Sequence, residues 1–262
     1  MATGGRAYFE PRVLILASRF DVSCDFVVSR LRAKSVPYFR LNSEDLSAAT
    51  LALDPVRMRL VIQQEDVRCV VTPDCLRSVY FRRPVFLRDY GGLPRDRGDT
   101  FSRVQWAAFM RNLMIFDEAK WVNHPAATYK AEHKAVQLAV ASRIGFPVPE
   151  TIVTNAPDPA LLPPGCSRVA IKGIDTVLLR DGNQEMFGFT TIESAESLVS
   201  SDWHTAPATI QAALTDKIDL RVTVVGDRAF AASITINGCG IPGDWRSEKR
   251  SAQFAEYALP TD

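Results

Sequence analysis

Several features are scarce in this 262-residue chain, and each scarcity excludes a class of protein. Cysteine occurs five times, at Cys24, Cys69, Cys75, Cys166 and Cys239, scattered and with no C-x-x-C pair. An odd, dispersed set suits reduced thiols and predicts neither a disulfide framework nor a zinc site. No apolar run approaches the roughly 20 residues of a membrane span, and Met1 to Arg12 lacks the apolar core of a signal peptide. A cytoplasmic protein is the expectation. Charge of one sign is not in excess: 31 Lys and Arg face 30 Asp and Glu. Nothing therefore points to a nucleic-acid or membrane-surface partner. The three histidines, His124, His133 and His204, lie in no G-x-S-x-G context, which disfavours a hydrolase triad. No internal repeat or low-complexity tract occurs. What remains is 47% hydrophobic residues, enough apolar side chain for one or two compact domains.

The first half reads as α/β. Val13 to Ala17 (VLILA) is a bare apolar run, the form of a strand buried on both faces. A helix is predicted over Val22 to Ala33, with Val22, Phe26, Val27 and Leu31 as its apolar face, then a strand over Pro37 to Leu41. This is a βαβ unit and opens a parallel sheet. Its turn, Ser18 to Ser23, has no glycine, which argues against a Rossmann dinucleotide site. A hairpin follows between Val56 and Val71 with Glu65 and Asp66 as its turn, then a short strand at Val79 to Arg82. Arg82 and Arg83, with Arg19 and Arg40, stand near strand ends, where they either line an anionic site or form a solvated charge cluster. Tyr90 to Asp99 has loop chemistry, and Thr100 to Glu118 returns to helical spacing.

In the second half a helix is predicted from about Thr128 to Arg143, capped by Gly145, with Lys130 and Lys134 sharing one side at i, i+4. A strand then leads to Thr154. The next strand, Arg168 to Ile171, ends in Lys172. A lysine at that position is costly to bury without a partner, so it either points outward or meets an anion such as phosphate. A hairpin with its turn at Asp181 to Asn183, a helix over Ser194 to Ser200, a strand over Ala208 to Ala212 and a last hairpin across Gly226 and Asp227 complete the pattern.

The order of these pieces carries a resemblance. An N-x-P sequence at Asn123 to Pro125, a lysine-bearing helix ending in G-x-P-V-P-x-T-x-V-T-N, a strand lysine, and D-L-R-V-T-V-V-G-D-R resemble the ATP-grasp superfamily. Within it, V-L-I-L-x-S-R-F-D, Y-F-R-L-N-x-E-D-L and Asp244-Trp245-Arg246 look most like the microviridin-type (graspetide) ligases, with RimK-type ligases the next kin. The resemblance implies a pre-ATP-grasp N-terminal α/β domain at 1–122, followed by an incomplete ATP-grasp fold (α+β): a central domain at 123–205 and the start of the C-terminal lobe at 206–262. It implies that Lys134 and Lys172 contact ATP phosphates, where fixed cations suit phosphoryl transfer. The hinge that reads adenine with backbone groups falls on Gln211, Ala212, Ala213 and Leu214, two alanines standing where the family commonly has a glutamate and an aromatic residue. Lys217 and Asp219 are then placed to reach ribose or purine, Arg221 the phosphates and acyl-phosphate, and Arg246 the transferring phosphoryl group or substrate carboxylate. Trp245 suits a core anchor equally well.

The implied activity is ATP-dependent: a carboxylate becomes an acyl-phosphate, and a hydroxyl or amine then forms an ester or amide within a ribosomally made precursor peptide bearing a leader. A homodimer is compatible with this reading. The family's magnesium-binding carboxylates, an Asp or Glu and a Glu-x-Asn motif, are expected beyond Asp262, because only Glu248, Glu256 and Asp262 follow Arg246 on a polar stretch that reads as a linker. The resemblance thus implies a chain cut short, with weak nucleotide binding and little turnover as given. Two rivals stand beside it: a RimK-type ligase of a protein or small molecule, and a non-catalytic module that binds peptide or nucleotide.

Overall fold

The computed structural model describes residues 8–82, 97–162, 164–175, 178–181, 184–200, 203 and 205–260. Arg83, most of the loop at 90–99, the turn residues Gly182 and Asn183, His204 and Asp262 lie outside them. The chain divides into two compact units, Met1–Ala131 and Glu132–Asp262.

In the first unit, β1 (Val13–Ala17), α1 (Val22–Ala33) and β2 (Tyr38–Asn42) form the predicted βαβ unit. Next come β3 (Thr50–Asp54), β4 (Arg59–Gln64), β5 (Val67–Val71), β6 (Ser78–Phe81), α2 (Arg97–Asn112), β7 (Lys120–Val122) and α3 (Pro125–Glu132). The sheet order β2-β1-β6-β7 is parallel throughout, while β3, β4 and β5 make a separate antiparallel meander. Both faces of β1 are buried, as its unbroken apolar run requires. Leu14 and Leu16 pack with Leu60, Ile62, Cys69, Met110 and Leu113, and Ile15 and Ala17 pack with Cys24 and Val28 of α1.

That packing corrects the predicted face of α1. Val22 and Phe26 are 65% and 72% exposed, and Cys24 and Val28 point inward instead. The helix enters from an N-cap at Asp21, whose carboxylate accepts from the Ser23 N–H at 2.9 Å. The cap sets the rotation of the first turn, and apolar count alone does not. The second predicted helix is also shifted. It starts at Arg97, within the stretch read as loop, and ends at Asn112, followed by a 3₁₀ turn at Leu113–Ile115, with buried Phe116 just beyond.

The buried thiols are chemically quiet. Burial pushes the Cys69 thiol up to about 12 and the Cys24 thiol up to about 11, the nearby Asp21 charge adding to the latter. Thiolate is the reactive form, so an alkylating reagent at neutral pH should label exposed Cys239 quickly and leave Cys24 and Cys69 unmodified until unfolding. Mass spectrometry of partly labelled protein checks this; early label on Cys69 would contradict the buried core.

The second unit begins with α4 (Lys134–Arg143), then β8 (Thr151–Thr154), β9 (Arg168–Lys172), β10 (Leu178–Asp181), β11 (Gln184–Phe187), β12 (Thr191–Ser194), β13 (Ala208–Ala212), β14 (Asp219–Val225), β15 (Arg228–Thr235) and β16 (Gln253–Glu256). The single helix predicted over 128–143 is two helices. The chain breaks at His133, whose extended backbone (φ −73°, ψ 113°) opens α4, so Lys130 and Lys134 do not share a continuous helical face. Gly145, at φ +90°, follows the last turn of α4, as its placement in the sequence predicts. The predicted helix at 194–200 is a 3₁₀ segment preceded by the unpredicted β12. The stretch read as a linker contributes β16, which pairs antiparallel with β15 and completes a β14-β15-β16 sheet.

Candidate nucleotide site

The sheet β12-β9-β13-β8 separates two chemistries by strand parity. In register, Ile210 lies opposite Ile171 on one side and Ile152 on the other, and these residues join Val169, Ala195 and Leu198 in a core. On the alternate positions, Gln211 pairs with Thr151 and Ala170, and Thr209 with Lys172 and Val153. One face is thus oil and the other carries Thr151, Thr209, Gln211 and Lys172, as a period of two dictates.

On the polar face these side chains are locked together. Lys172 Nζ donates to Gln211 Oε1 at 2.6 Å, and Gln211 Nε2 donates to Thr151 Oγ1 at 2.7 Å. The Thr151 hydroxyl in turn donates to the Pro149 carbonyl at 2.8 Å. The strand lysine therefore neither points into solvent nor pairs with a carboxylate; a neutral amide anchors it. Burial presses its ammonium below the ordinary lysine value, Lys134 adds to that, Asp244 opposes it, and Lys217 adds further. A half-buried cation of this kind is incompletely compensated, and a bound anion would relieve it.

Its neighbours include other residues predicted for the site. Lys134, the first residue of α4, donates through Nζ to the Ile174 carbonyl at 2.9 Å, just past the end of β9. Lys217 pairs with Asp219 at 2.5 Å. Asp244, which opens the Asp-Trp-Arg motif but to which the resemblance assigns no role, holds Arg246: the Arg246 N–H donates to Asp244 Oδ1 at 3.0 Å and its guanidinium to both carboxylate oxygens at 3.2 Å. The Arg246 guanidinium also lies over the Trp245 ring at 5.6 Å, and Trp245 meets Phe254 of β16 edge to face. Trp245 thus ties the Asp-Trp-Arg turn to the last sheet.

Arg221 is exposed on β14, and in register it shares a face with Ala232 and, one strand further, Glu256. Among the described residues it takes part in no salt bridge. Of the hinge residues, Ala212 donates its N–H to the Glu150 carbonyl at 2.9 Å and Ala213 to the Arg168 carbonyl at 3.0 Å. Leu214, 57% exposed, has no backbone acceptor for its N–H among the described residues.

The arginines of the first unit resolve differently. Arg19 bonds to Asp45, Arg40 pairs with Asp25 at 2.6 Å and donates to Asn42 and the Ser18 carbonyl, and Arg82 pairs with Asp21 at 2.9 Å. Burial pushes the Asp45 carboxyl up, but hydrogen bonds from Asn42 and Arg19 outweigh it and hold the group below the usual carboxylate value. These three arginines therefore do not line an open anionic site; the carboxylates beside them satisfy their charge.

No protein-family model and no curated protein matches the chain, but solved structures do. A RiPP-associated ATP-grasp ligase of Chryseobacterium gregarium, in complex with ADP and a leader and core peptide, is 18% identical, with TM-score 0.74 over 95% of this chain and 78% of that one. The macrocyclase MdnC of Microcystis aeruginosa, bound with precursor peptide MdnA, is 20% identical, with TM-score 0.73 over 95% and 78%. A D-alanyl-alanine synthetase A of Vibrio cholerae is 10% identical, with TM-score 0.51 over 98% and 77%. No helix among the described residues is long and apolar enough to cross a membrane. Taken with the parallel-sheet first unit and the lysine-bearing second, these likenesses show that the chain has the fold of ATP-grasp ligases.

Proposed function

We propose that the protein is an ATP-dependent carboxylate ligase that forms an ester or amide bond in a ribosomally made precursor peptide. The observation that carries this reading is the half-buried Lys172 ammonium, anchored by Gln211 and bordered by Lys134 and Lys217 on the polar face of the β12-β9-β13-β8 sheet. Such a cluster suits a triphosphate, whose charge resides on oxygens that fixed cations stabilise. In this reading residues 1–122 form the N-terminal domain, 123–205 the central ATP-grasp domain and 206–262 the start of the C-terminal lobe. The Leu214 N–H, which has no backbone acceptor among the described residues, holds adenine with the backbone of Gln211, Ala212 and Ala213. Lys217 and Asp219 face the ribose or purine, and Arg221 and Arg246 meet the phosphates and the activated carboxylate.

A substrate carboxylate oxygen attacks the terminal phosphorus of ATP, and ADP leaves. A hydroxyl or amine of the peptide then attacks the acyl carbon, phosphate leaves with the bonding pair, and the nucleophile's proton passes to solvent. Because the acyl-phosphate is already activated, cations rather than a strong general base dominate both steps. Magnesium is the expected counter-ion of the triphosphate. Among the described residues no group of three His, Cys, Asp or Glu is gathered to hold it, so the roles assigned to this chain rest on its cations.

The test incubates the purified full-length gene product with ATP, magnesium and a precursor peptide rich in Thr, Ser, Lys, Asp and Glu encoded beside its gene. One ADP formed and one water lost from the peptide per bond is the expected result, read by chromatography and mass spectrometry. ADP formation with small amines or free amino acids, but not with the peptide, would favour a RimK-type ligase. Neither product with any acceptor would sink the ligase reading.

A further inference from the structure

The first unit holds a second group of arginines whose situation is the reverse of the paired set. A surface pocket of about 530 Å³ is lined by Arg12, Arg59 and Arg77, together with Glu10, Thr72 and Asp74. Arg12 and Arg77 stand immediately before β1 and β6, locked side by side because the Arg77 N–H donates to the Arg12 carbonyl at 2.9 Å. Arg59 opens β4 of the meander. The pocket therefore lies at the N-terminal edge of the parallel strands, the end opposite Arg19, Arg40 and Arg82.

At that opposite end the three arginines are all satisfied by carboxylates. Here, among the described residues, none of Arg12, Arg59, Arg77, Glu10 and Asp74 takes part in a salt bridge, although the five share one pocket. The guanidinium donors are thus available to a ligand. Their planar forks suit carboxylate or phosphate oxygens two at a time. Glu10 and Asp74 decide between these. Two carboxylates in the wall repel a ligand of dense negative charge, a polyphosphate or nucleic-acid backbone, whereas they tolerate separated carboxylates and accept from the amide N–H groups between them.

We propose that this pocket docks an acidic peptide segment through its glutamate or aspartate side chains. The proposal rests on the peptide-ligase reading for the identity of that peptide.

The experiment measures binding of a fluorescent synthetic peptide carrying a run of glutamates to the full chain at low and moderate salt. Single Arg12→Gln, Arg59→Gln and Arg77→Gln substitutions should each weaken binding about two- to fivefold, the range of partly exposed ion pairs. The triple variant should weaken it at least roughly tenfold, with a flatter salt dependence. Glu10→Gln and Asp74→Asn should tighten it about two- to threefold, a gain that loss of folding cannot mimic. Unchanged binding in the triple variant, weaker binding in the two acid-neutralising variants, or preference for a single-stranded oligonucleotide over the peptide would each overturn the proposal. Stabilisation of the triple variant by ATP, followed by thermal melting, reports on the nucleotide site separately, so failure of the ligase reading is distinguishable from failure of this one.

Discussion

Replacing Lys172 by methionine should weaken ATP binding roughly ten- to hundredfold, the loss of about 1.5–3 kcal/mol expected when a hydrogen bond to a charged group is removed. The fold should survive, because Lys172 occupies the polar face and its removal leaves the Ile171, Ile210 and Ile152 side untouched. Wild-type protein should therefore melt at a higher temperature with saturating ATP, and Lys172→Met should show a clearly smaller shift at the same ATP concentration. An equal shift in both would remove Lys172 from the nucleotide site. Thr151→Val acts on the same lysine at one remove: it leaves the Gln211 amide donor without its acceptor, loosening the Lys172 anchor. Thr151→Ser, which keeps the hydroxyl, should restore it.

The pH dependence follows from the same group. Its folded pKa lies below 10.5, so between that lowered value and 10.5 the unfolded chain carries a proton the folded chain lacks. The stability of the empty protein gains a contribution that rises with pH in that window. Nucleotide affinity moves the other way, declining as Lys172 loses its proton. Titration calorimetry across the alkaline range reads the affinity and thermal melting of the empty protein the stability; affinity that holds level to the pH of an ordinary lysine would contradict the assignment.

The second large effect is steric. A Cβ on Gly240 would penetrate the Lys217 backbone carbonyl, with its oxygen well inside contact distance and its carbon at 2.9 Å. Because the obstacle is backbone, Gly240→Ala forces either the turn around Gly240 or the Lys217–Asp219 segment to move. A cost of about 1–3 kcal/mol is expected, lowering the melting of the second unit by roughly 2–4 °C per kcal/mol, together with weaker nucleotide binding as the 2.5 Å Lys217–Asp219 pair is displaced. Gly243→Ala is the control, since a Cβ there meets nothing within 4 Å. If both variants melt alike, the close approach at Gly240 is not a constraint.

Much of this arrangement was legible in advance where one signal dominated locally. The VLILA run, the Ala208–Ala212 strand and the hairpin across Gly226 and Asp227 lie where period-two patterns and turn residues place them. Errors arose where the deciding contact is distant or is made by backbone. Nothing between Lys130 and Lys134 announces the break at His133, and the exposed Phe26 is as apolar as the buried Val28. β16 carries no period-two signal because its residues are exposed and it is defined by pairing with β15. In the site, the lysines stand out as costly strand and helix cations, whereas Thr151 and Asp244 sit inside motifs with nothing in their own chemistry to mark a role. Their significance comes from the Gln211 amide and the Arg246 guanidinium that they orient, and such partnerships exist only once strands are in register.

That register has a further consequence. In β8, β9 and β13 the odd and even positions serve different masters: 151, 209, 211 and 172 handle charge, while 152, 210, 169 and 171 exclude water. Substitution can therefore vary the site with little effect on the core, one position at a time. A change of length cannot: adding or deleting one residue within β13 would turn Gln211 into the interior and Ile210 towards the nucleotide. The strand therefore tolerates changes of residue far better than changes of spacing.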